Sequence, residues 1–434
     1  MTVVLHKKFI QKKLNYLLKF LCFLTIIKAV QHKFKKLLFE RMNKMEKVRF
    51  GIIGIGNMGS QHSTYLHAGE IDGAELTAVC DLKEERLNWA KSKFEGVATF
   101  TDYKEMLASG LCDCVIVAVP HYDHPGISID VLNAGLNVIC EKPIGVYTKQ
   151  AEELIEVASK SDKVFGLMFN QRTNAMYRKA RAMVQGGELG ELKRCVWIIT
   201  DWYRTQSYYT SGGWRATWKG EGGGVILNQC PHQLDLWQWI FGMPKTIRAF
   251  CHEGKYHDIE VEDDVTVYAE YENGATGVFV TTTGETPGTN RLEISGDKGK
   301  LVIEGNSMKF WQNKVPERQW TYECEGGFTR PECVATDVDY SEYKLEKEQH
   351  RGITQNVTNA ILHGEKLMAP GEEGINGLRI SNAIFLSSWL GKPVDLPVDG
   401  DLFYSMLQDK INNSTFKKVV KETTEDVSNT YGNK

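Results

Sequence analysis

The sequence predicts an α/β fold in two parts: a parallel sheet with helices on both faces, then an α+β domain built on a largely antiparallel open sheet. Between residues 48 and 170, short β-branched runs alternate with helix-length amphipathic segments, which is typical of parallel strands joined by helices. Beyond residue 171, strand-like stretches follow one another through short turns, which indicates antiparallel pairing. The 434 residues, 42% apolar and 25% charged, suffice for two globular domains.

The predicted elements divide the chain into a first domain at 45–170, a second at 171–411 and a polar tail at 412–434 without fixed structure. In the first domain, strands are expected at 48–53, 76–80, 114–119, 137–140 and 164–169, with helices near 58–69, 83–94, 124–135 and 148–160. In the second, strands are expected at 193–203, 245–252, 264–271, 276–283, 290–296 and 299–304, with helices near 174–186, 343–363 and 375–390.

A glycine-rich turn follows the first predicted strand. Gly54, Gly56 and Gly59 have the G-x-G-x-x-G spacing, which allows a tight turn, close approach of the backbone to a pyrophosphate and tight helix packing. Asp81 ends the second strand 22 residues after the last of these glycines, where a carboxylate accepts hydrogen bonds from both adenosine-ribose hydroxyls and repels a 2′-phosphate. NAD is therefore favoured over NADP, although Asp81 also suits a helix cap. The cofactor-binding residues expected in the turn are Gly54, Gly56, Asn57, Met58 and Gly59.

The loop after the strand at 114–119 lies where open α/β sheets place ligands. We expect Pro120 to line the cofactor site and His124 to cap the next helix or contact the nicotinamide end of the cofactor. His121 and His124 have a spacing found in metal sites, but no third ligand stands nearby and the proline-broken loop fixes neither ring. No metal site is therefore predicted.

The candidate catalytic residues stand at a strand end and after a glycine turn. Lys142 follows the strand at 137–140, where it serves as an ammonium donor to a substrate oxygen, or shares protons with it if burial lowers its pKa. His232 follows the turn at 222–224 at the start of an amphipathic helix, and an imidazole suits a general acid or base. Asn228, four residues earlier, completes the predicted set. An exposed loop lysine and a satisfied core histidine are the alternatives.

Aromatic and arginine side chains are concentrated at 201–218, directly before this turn. Aromatic rings match the apolar faces of sugars, and guanidinium groups match their hydroxyls, so we predict a substrate wall here. A core or subunit-interface role is the alternative for about half of the aromatic residues. The arginines suit a phosphate or carboxylate equally, which leaves nucleotide sugars and uronates open. The predicted substrate-binding residues are Lys142, Arg172, Arg204, Trp214, Arg215, Trp218, Asn228 and His232.

Taken together, these motifs resemble the glucose-fructose oxidoreductase, inositol dehydrogenase and rhizopine-catabolism (Gfo/Idh/MocA) family over residues 48 to about 395. The likeness includes the glycine turn with His62, the stretch Glu141-Lys142-Pro143 and the stretch 222–232. It implies a Rossmann domain, a substrate domain whose open sheet packs between subunits of a homodimer or homotetramer, and Lys142 with His232 as catalytic pair. It also implies that Glu141 contacts the nicotinamide ribose and that Lys142–Pro143 is a cis peptide. The remaining predicted cofactor-binding residues are Pro120, His124, Glu141, Lys142 and Asn170.

One position departs from the family pattern. Several sugar and cyclitol dehydrogenases of the family have an aspartate four residues before the histidine, where this chain has Asn228. An amide does not stabilise an imidazolium as a carboxylate does, so the pKa of His232 is expected to be lower than in an aspartate-paired site. Asn228→Asp is then expected to retain activity and to move the rate–pH profile to alkaline values.

Charge and cysteine usage bear on partners and location. Residues 1–44 hold eleven Lys or Arg residues against Glu40, while the whole chain has a net charge of −3, which implies no nucleic-acid partner. The apolar run at 20–27 is far shorter than the ~20 residues of a membrane span and precedes no small-x-small cleavage site. We therefore expect a basic tail, with Met45 or Met42 as the true start, and neither a membrane span nor export. Ten cysteines without a CxxC pair indicate a reduced, cytoplasmic protein.

Three functional hypotheses follow. The leading one is an NAD-dependent oxidoreductase that transfers a hydride between nicotinamide and a secondary hydroxyl or ketone of a sugar, glycoside or cyclitol. The second is an NAD-dependent glycosidase, in which transient oxidation at C3 permits elimination of the aglycone without net redox change. The third is a non-catalytic dinucleotide-sensing regulator, which has no need for both Lys142 and His232.

Overall fold

The computed structural model describes residues 47–421. The predictions for residues 1–44, including the run at 20–27 and the start at Met45 or Met42, lie outside the described residues, as do those for 422–434. Within the described range, no helix is long and apolar enough to cross a lipid bilayer.

The first domain is a sheet of six parallel strands with connecting helices. Its elements are β1 Val48–Ile53, α1 Asn57–His67, β2 Ala74–Cys80, α2 Glu84–Lys93, β3 Ala98–Phe100, α3 Tyr103–Ala108, β4 Cys114–Val117, α4 His124–Asn133, β5 Asn137–Cys140, α5 Thr148–Ser159 and β6 Phe165–Leu167. The strand order is β3-β2-β1-β4-β5-β6. Strands in such a sheet are covered on both faces, and Phe50, Ile52, Val115 and Ile116 are fully buried. The predicted α/β domain is therefore confirmed.

Two short elements of this domain escaped the sequence analysis. Strand β3 has only three residues, too few to give an alternating pattern. Helix α3 has six residues, and its start depends on the Asp102 carboxylate, which accepts a hydrogen bond of 2.7 Å from the main-chain N–H of Lys104. Strand β4 ends two residues earlier than predicted, because the chain turns away before Pro120, which has no N–H for a ladder.

The second domain packs helices against a nine-stranded sheet. Its elements are α6 Ala175–Gln185, β7 Leu192–Ile199, α7 Gln206–Thr210, α8 Pro231–Phe241, β8 Thr246–Glu253, β9 Glu262–Glu270, β10 Thr276–Thr282, β11 Asn290–Gly296, β12 Gly299–Glu304, β13 Ser307–Asn313, α9 Glu317–Glu323, β14 Cys333–Asp337, α10 Gln349–His363, α11 Gly374–Leu390, β15 Val394–Asp395 and α12 Gly400–Asn412. The order is β14-β13-β12-β11-β7-β10-β9-β8-β15. Only β7 and β10 pair in parallel among these strands, which confirms the largely antiparallel sheet. The sequence analysis missed α7, β13, α9, β14, β15 and α12.

The two faces of this sheet differ in exposure. Trp197 of β7, Phe279 of β10 and Trp237 of α8 are buried together, with the ring centroids of Trp237 and Phe279 5.5 Å apart. Side chains alternate between faces along a strand, and on the other face Phe250 is 51% and Tyr268 43% exposed. The sheet therefore has a core face under the helices and an exposed face that carries aromatic rings.

The start of the C-terminal tail differs from the expectation within the described residues. Residues from 412 onward were expected to be a tail without fixed structure, but Asn412 ends α12 and residues 413–421 pack against the loop at 210–215. The main-chain N–H of Lys421 donates 2.9 Å to the carbonyl of Thr210, and Lys418 Nζ donates to the carbonyls of Gly212 and Arg215. These contacts are distant in sequence, so a polar composition did not reveal them.

Candidate active site

A cavity of about 990 Å³ lies at the carboxyl ends of β1, β2, β4 and β5. It is lined by the glycine turn, by Asp81, and by Glu141 and Lys142 of the first domain, and by the loop at 211–215 with Asn228 of the second domain. The strand order reverses between β1 and β4, which is where open α/β sheets bind their ligands. Both domains therefore contribute to the same cavity.

The glycine turn fits a dinucleotide pyrophosphate. Gly54 has a φ of 85°, and a Cβ at this position would meet the carbonyl oxygen of Ala118 at 2.5 Å. Gly59 packs on the carbonyl of Gly54, where no side chain has room. Gly56 lines the cavity, and no described atom lies within 4 Å of where its Cβ would stand. With Asn57 and Met58, it brings main-chain groups and the N-terminus of α1 to the cavity, an arrangement that suits phosphate oxygens.

Asp81 lines the cavity and also stabilises the turn. Its Oδ2 accepts a hydrogen bond of 2.8 Å from the N–H of Ile55, and its Oδ1 accepts one of 2.9 Å from the N–H of Lys83. Arg86 supports the same turn, since its Nε donates 2.9 Å to the carbonyl of Ile55 and its NH2 donates 2.6 Å to Ser60 Oγ. The carboxylate thus lies at the end of β2 as predicted, and the N-cap position of α2 belongs to Lys83.

His124 lines the cavity but does not cap the next helix, and its contact with the nicotinamide end of the cofactor stays a prediction. Its ring nitrogens contact main-chain carbonyls, Nδ1 that of Pro143 at 2.7 Å and Nε2 that of Val119 at 2.8 Å, so its side chain does not cap α4. It joins the loop after β4 to the loop after β5. His121 Nδ1 contacts the carbonyl of Glu221 at 3.0 Å. Among residues 47–421, no group of three His, Cys, Asp or Glu side chains could hold a metal ion.

Glu141 belongs to a buried hydrogen-bond chain next to the cavity. Its Oε1 lies 2.7 Å from His62 Nε2, His62 Nδ1 lies 2.7 Å from the Tyr65 hydroxyl, and that hydroxyl lies 2.8 Å from Thr354 Oγ1. Burial opposes ionisation of Glu141, but the hydrogen bond and charge of His62 outweigh it and lower the pKa of Glu141 to about 2. Glu141 is therefore a fixed carboxylate. The sequence analysis had His62 only as part of a motif and had no signal for Tyr65 or Thr354.

Lys142 joins the two domains. Its Nζ donates a hydrogen bond of 2.8 Å to the main-chain carbonyl of Asn228, and the Lys142–Pro143 peptide is cis, as the resemblance implied. Burial lowers the pKa of Lys142 to about 8, with Glu141 acting in the opposite direction and Arg215 in the same direction. The amine therefore exists in both protonation states near neutral pH.

His232 begins α8 with its ring buried against Phe169, the two ring centroids 6.4 Å apart. Neither ring nitrogen has a hydrogen-bond partner among the described residues. Burial, the charge of Lys142 and that of His350 lower the pKa of His232 well below its ordinary value. The ring is therefore a neutral imidazole. The Asn228 side chain, which the comparison with aspartate-paired sites placed beside His232, does not contact the ring. His350 is a neighbour that the sequence did not indicate.

The Asn228 amide contacts a carboxylate instead. Its Nδ2 donates to Glu221 Oε1 and, at 3.3 Å, to the Tyr208 hydroxyl. It stands in a π-helical turn, Val225–Gln229, which also presents the carbonyl bound by Lys142. Glu221 was not among the predicted site residues, although an acidic residue directly before the glycine turn at 222–224 was a signal available in the sequence.

Part of the predicted substrate wall lines the cavity. Trp214 and Arg215 do so, and the Arg215 guanidinium lies over the rings of Tyr208 and Trp214, 4.6 and 4.5 Å from their centroids. Its NH1 donates 2.8 Å to the Tyr208 hydroxyl. Arg204 lies over Tyr208 and Trp202 and donates to the carbonyls of Trp202 and Tyr203, outside the residues that line the cavity.

Two substrate-binding assignments are corrected by burial. Arg172 is 1% exposed, and its guanidinium is bound by Asp235, by Glu373 and by the carbonyl of Met368. Trp218 is 2% exposed and packs edge-on against the stacked rings of Phe385 and Trp389. Both side chains hold the second domain together and do not reach the cavity.

Asn170, predicted to bind the cofactor, is buried beside the second domain. Its Nδ2 donates 2.9 Å to Gln349 Oε1, and its Oδ1 has no partner among the described residues. Asn170 does not line the cavity. The other predicted cofactor-binding residues do line it, with the exception of Gly59. Its assignment to the cofactor stays a prediction.

Two family models match the chain. Residues 48–169 match the oxidoreductase family with an NAD-binding Rossmann fold, and residues 177–302 match a Gfo/Idh/MocA C-terminal domain. Among curated relatives, myo-inositol 2-dehydrogenase of Thermotoga maritima is 27% identical over 263 residues, 59% of this chain and 75% of that protein. Inositol 2-dehydrogenase of Corynebacterium glutamicum is 26% identical over 239 residues, 53% of this chain and 65% of that protein.

Solved structures give a likeness over a longer stretch. The WlbA dehydrogenase from Chromobacterium violaceum, in complex with NADH and UDP-GlcNAcA, is 28% identical with a TM-score of 0.71, covering 82% of this chain and 97% of that chain. The WlbA dehydrogenase from Bordetella pertussis, in complex with the same two molecules, is 25% identical with a TM-score of 0.69, covering 81% and 100%. This protein belongs to the Gfo/Idh/MocA family of NAD-binding oxidoreductases.

Proposed function

We propose that this protein is an NAD-dependent dehydrogenase that oxidises a secondary hydroxyl of a sugar, glycoside or cyclitol, or reduces the corresponding ketone. The observation that carries the proposal is the Lys142 amine. It lies on the wall of the cofactor cavity beside the second domain, hydrogen-bonded to the Asn228 carbonyl, and burial lowers its pKa to about 8. An amine that titrates near working pH suits a proton-transfer group.

The cofactor is held by residues of the first domain. Main-chain groups of Gly56, Asn57 and Met58 face the pyrophosphate, and Asp81 receives the hydroxyls of the adenosine ribose. Glu141, fixed as a carboxylate by His62, accepts hydrogen bonds from the nicotinamide ribose. When bound, the nicotinamide supplies the hydride acceptor or donor.

Lys142 and His232 have different roles at the substrate oxygen. As a free amine, Lys142 accepts the proton of the hydroxyl that is oxidised, and as an ammonium it returns a proton in the reverse direction. His232 stays a neutral imidazole because burial disfavours its charged form. Its ring is buried and is not among the residues that line the cavity, and we assign it the role of orienting the hydroxyl as a hydrogen-bond partner. Its two unpartnered ring nitrogens support this role, since buried polar atoms normally have a partner.

The substrate class is inferred from the wall opposite the cofactor. Trp214 offers an aromatic face to sugar C–H groups, and Arg215 offers donors to hydroxyls or to a carboxylate. The inositol dehydrogenases among the relatives favour a cyclitol, and the UDP-GlcNAcA complexes of the WlbA structures favour a nucleotide-linked uronate. A cytoplasmic homodimer or homotetramer, paired through the exposed face with Phe250 and Tyr268, is proposed as the assembly.

The test is the absorbance of reduced nicotinamide after purified protein is mixed with NAD and, in turn, inositols, free sugars, glycosides, uronates and nucleotide sugars. We expect a rise with one of these classes that Lys142→Met abolishes. Release of an aglycone without accumulation of NADH would instead support the redox-assisted glycosidase. Tight NAD binding with no conversion of any class would support the regulator.

A further inference from the structure

Glu221 is a buried carboxylate that contacts the π-helical turn and that the proposed function does not use. We propose that Glu221 is a positioning residue of the active site, which holds the Asn228 amide and supplies the negative charge that faces Lys142. The effect of Glu221 on catalysis rests on the proposed function, but its effect on Lys142 can be measured without any substrate.

The carboxylate has defined partners on both oxygens. Oε1 accepts from Asn228 Nδ2, and Oε2 accepts a hydrogen bond of 2.5 Å from the N–H of Ala216. Ala216 has a φ of 60°, a left-handed backbone conformation that is unfavourable for a non-glycine residue and that this hydrogen bond helps to hold. Glu221 is 1% exposed. Both partners are N–H donors, which act against the effect of burial on the pKa of this carboxylate.

Glu221 connects three segments of the site through these contacts. Its carboxylate binds Asn228, whose carbonyl accepts the hydrogen bond from Lys142 Nζ, and its own main-chain carbonyl contacts His121 Nδ1 at 3.0 Å. The loop that lines the substrate side of the cavity, the π-helical turn and the loop after β4 therefore meet at one residue. A displacement of Glu221 would therefore also displace the Asn228 carbonyl, which orients Lys142.

The charged groups around Glu221 and Lys142 are predominantly positive. Burial raises the pKa of Glu221, and the charges of Arg215 and Lys418 and the hydrogen bonds from Ala216 and Asn228 counter that effect. The groups that act on the Lys142 ammonium are Glu141, Arg215, Glu221 and Arg204, and the nearby imidazoles are His121 and His232. Glu141 is already paired with His62, so removing Glu221 would leave Lys142 facing two arginines with less compensation.

A second buried carboxylate provides the matched control. Glu262 is fully buried and accepts hydrogen bonds from the N–H groups of Gly224 and Ile226, which belong to or precede the same π-helical turn. Burial raises the pKa of Glu262 to about 8, so it is largely uncharged at neutral pH. Glu262→Gln should therefore alter the support of the turn without changing the charge near Lys142.

The experiment is the pH dependence of Lys142 acetylation by trace acetic anhydride, followed by mass spectrometry, in the wild-type protein, Glu221→Gln, Glu221→Asp and Glu262→Gln. We expect the Lys142 titration to move to lower pH by about one unit in Glu221→Gln, by less in Glu221→Asp, and not in Glu262→Gln. NAD affinity, measured by fluorescence, should stay within about twofold in the Glu221 variants, because the carboxylate does not line the cofactor cavity.

A Lys142 titration that is unchanged in the Glu221 variants, or that moves equally in Glu262→Gln, would overturn the proposal. If Glu221→Gln does not fold, the Lys142 titration in Glu221→Asp alone tests the proposal. The aspartate retains the charge, but its shorter side chain loses the hydrogen bond from Asn228 Nδ2. A shifted titration in a protein that converts no sugar or cyclitol would uphold this inference and reject the proposed function, so the two failures are distinguishable.

Discussion

The Lys142 ammonium group donates a hydrogen bond of 2.8 Å to the main-chain carbonyl of Asn228, which joins the cofactor domain to the second domain at the reacting centre. The lysine follows β5 of the parallel sheet, and the asparagine stands in the π-helical turn before α8. Any displacement of one domain against the other would alter this contact. The placement of the proton-transfer group therefore depends on both halves of the fold.

Lys142→Met is expected to lower kcat by about 10²–10⁴-fold with NAD affinity unchanged, because it removes proton transfer but leaves the glycine turn and Asp81 intact. Initial rates and NAD titration by fluorescence measure the two effects. Retention of more than about a tenth of kcat would contradict the assigned role.

The same variant should be more stable than the wild type at pH 7, by about 3 kcal/mol. The pKa of Lys142 is lowered to about 8, so the fold disfavours the ammonium form. The sign follows from linkage: the penalty is present below about pH 8 and is relieved as the pH rises towards the ordinary lysine value. Urea unfolding at pH 7 and pH 10 measures it, and the difference between variant and wild type should shrink at the higher pH.

The pH dependence of the wild-type enzyme should report the Lys142 amine. We expect kcat/KM for oxidation to rise through a pKa of about 8, and kcat/KM for reduction to fall through it, because the two directions need opposite protonation states. His232 should not contribute a step near pH 6.5, since its pKa lies well below that value. Profiles between pH 5 and 10 in both directions check this, and parallel profiles in the two directions would contradict it.

Asn228→Asp would place a second carboxylate against Glu221. Two adjacent carboxylates cannot both ionise freely, so one is expected to stay protonated at neutral pH and to ionise at alkaline pH. The added charge then stabilises the Lys142 ammonium and moves the oxidation profile to alkaline values by about half a unit. Asn228→Ser, which adds no charge, is the control. Histidine NMR separates this account from a direct effect on His232, whose resonances should not titrate differently.

Asp81→Ser is expected to raise KM for NAD about tenfold and to improve use of NADP, because the acceptor for the ribose hydroxyls and the repulsion of a 2′-phosphate are both lost. The loss of its hydrogen bond to the Ile55 N–H adds to the first effect. Asp102→Ser is the matched control, since Asp102 caps α3 and serine also caps helices well. Unchanged NAD-to-NADP preference in Asp81→Ser would reject this role.

The sequence predicted the parts of the site that local patterns define and missed those that tertiary packing defines. The glycine turn, Asp81 and Lys142 follow buried strands, and the carboxyl ends of parallel strands meet at one edge of a sheet. Arg172 and Trp218 have residue types that suit a sugar site, but whether such side chains face a cavity or the core depends on contacts far along the chain. His350 reaches the site from α10, a position that no local pattern contains.

The segment after α12 also contributes to the site from far along the chain. Lys418 Nζ donates to the carbonyls of Gly212 and Arg215, in the loop that lines the substrate side of the cavity. Burial lowers the pKa of Lys418 to about 8, with Glu221 acting in the opposite direction. The side chain therefore holds this loop in place without touching the cofactor turn.

Lys418→Met should raise KM for the sugar or cyclitol about fivefold, the effect of losing about 1 kcal/mol of loop support, with NAD affinity unchanged. Lys417→Met is the matched control, because the neighbouring side chain is exposed and should leave both constants unchanged. Steady-state kinetics with each substrate varied in turn measures the two constants. An equal rise in the substrate KM of both variants would mean that the segment acts only through its positive charge and not through the hydrogen bonds of Lys418. A loss of NAD affinity in Lys418→Met would contradict the assignment of Lys418 to the substrate side of the cavity.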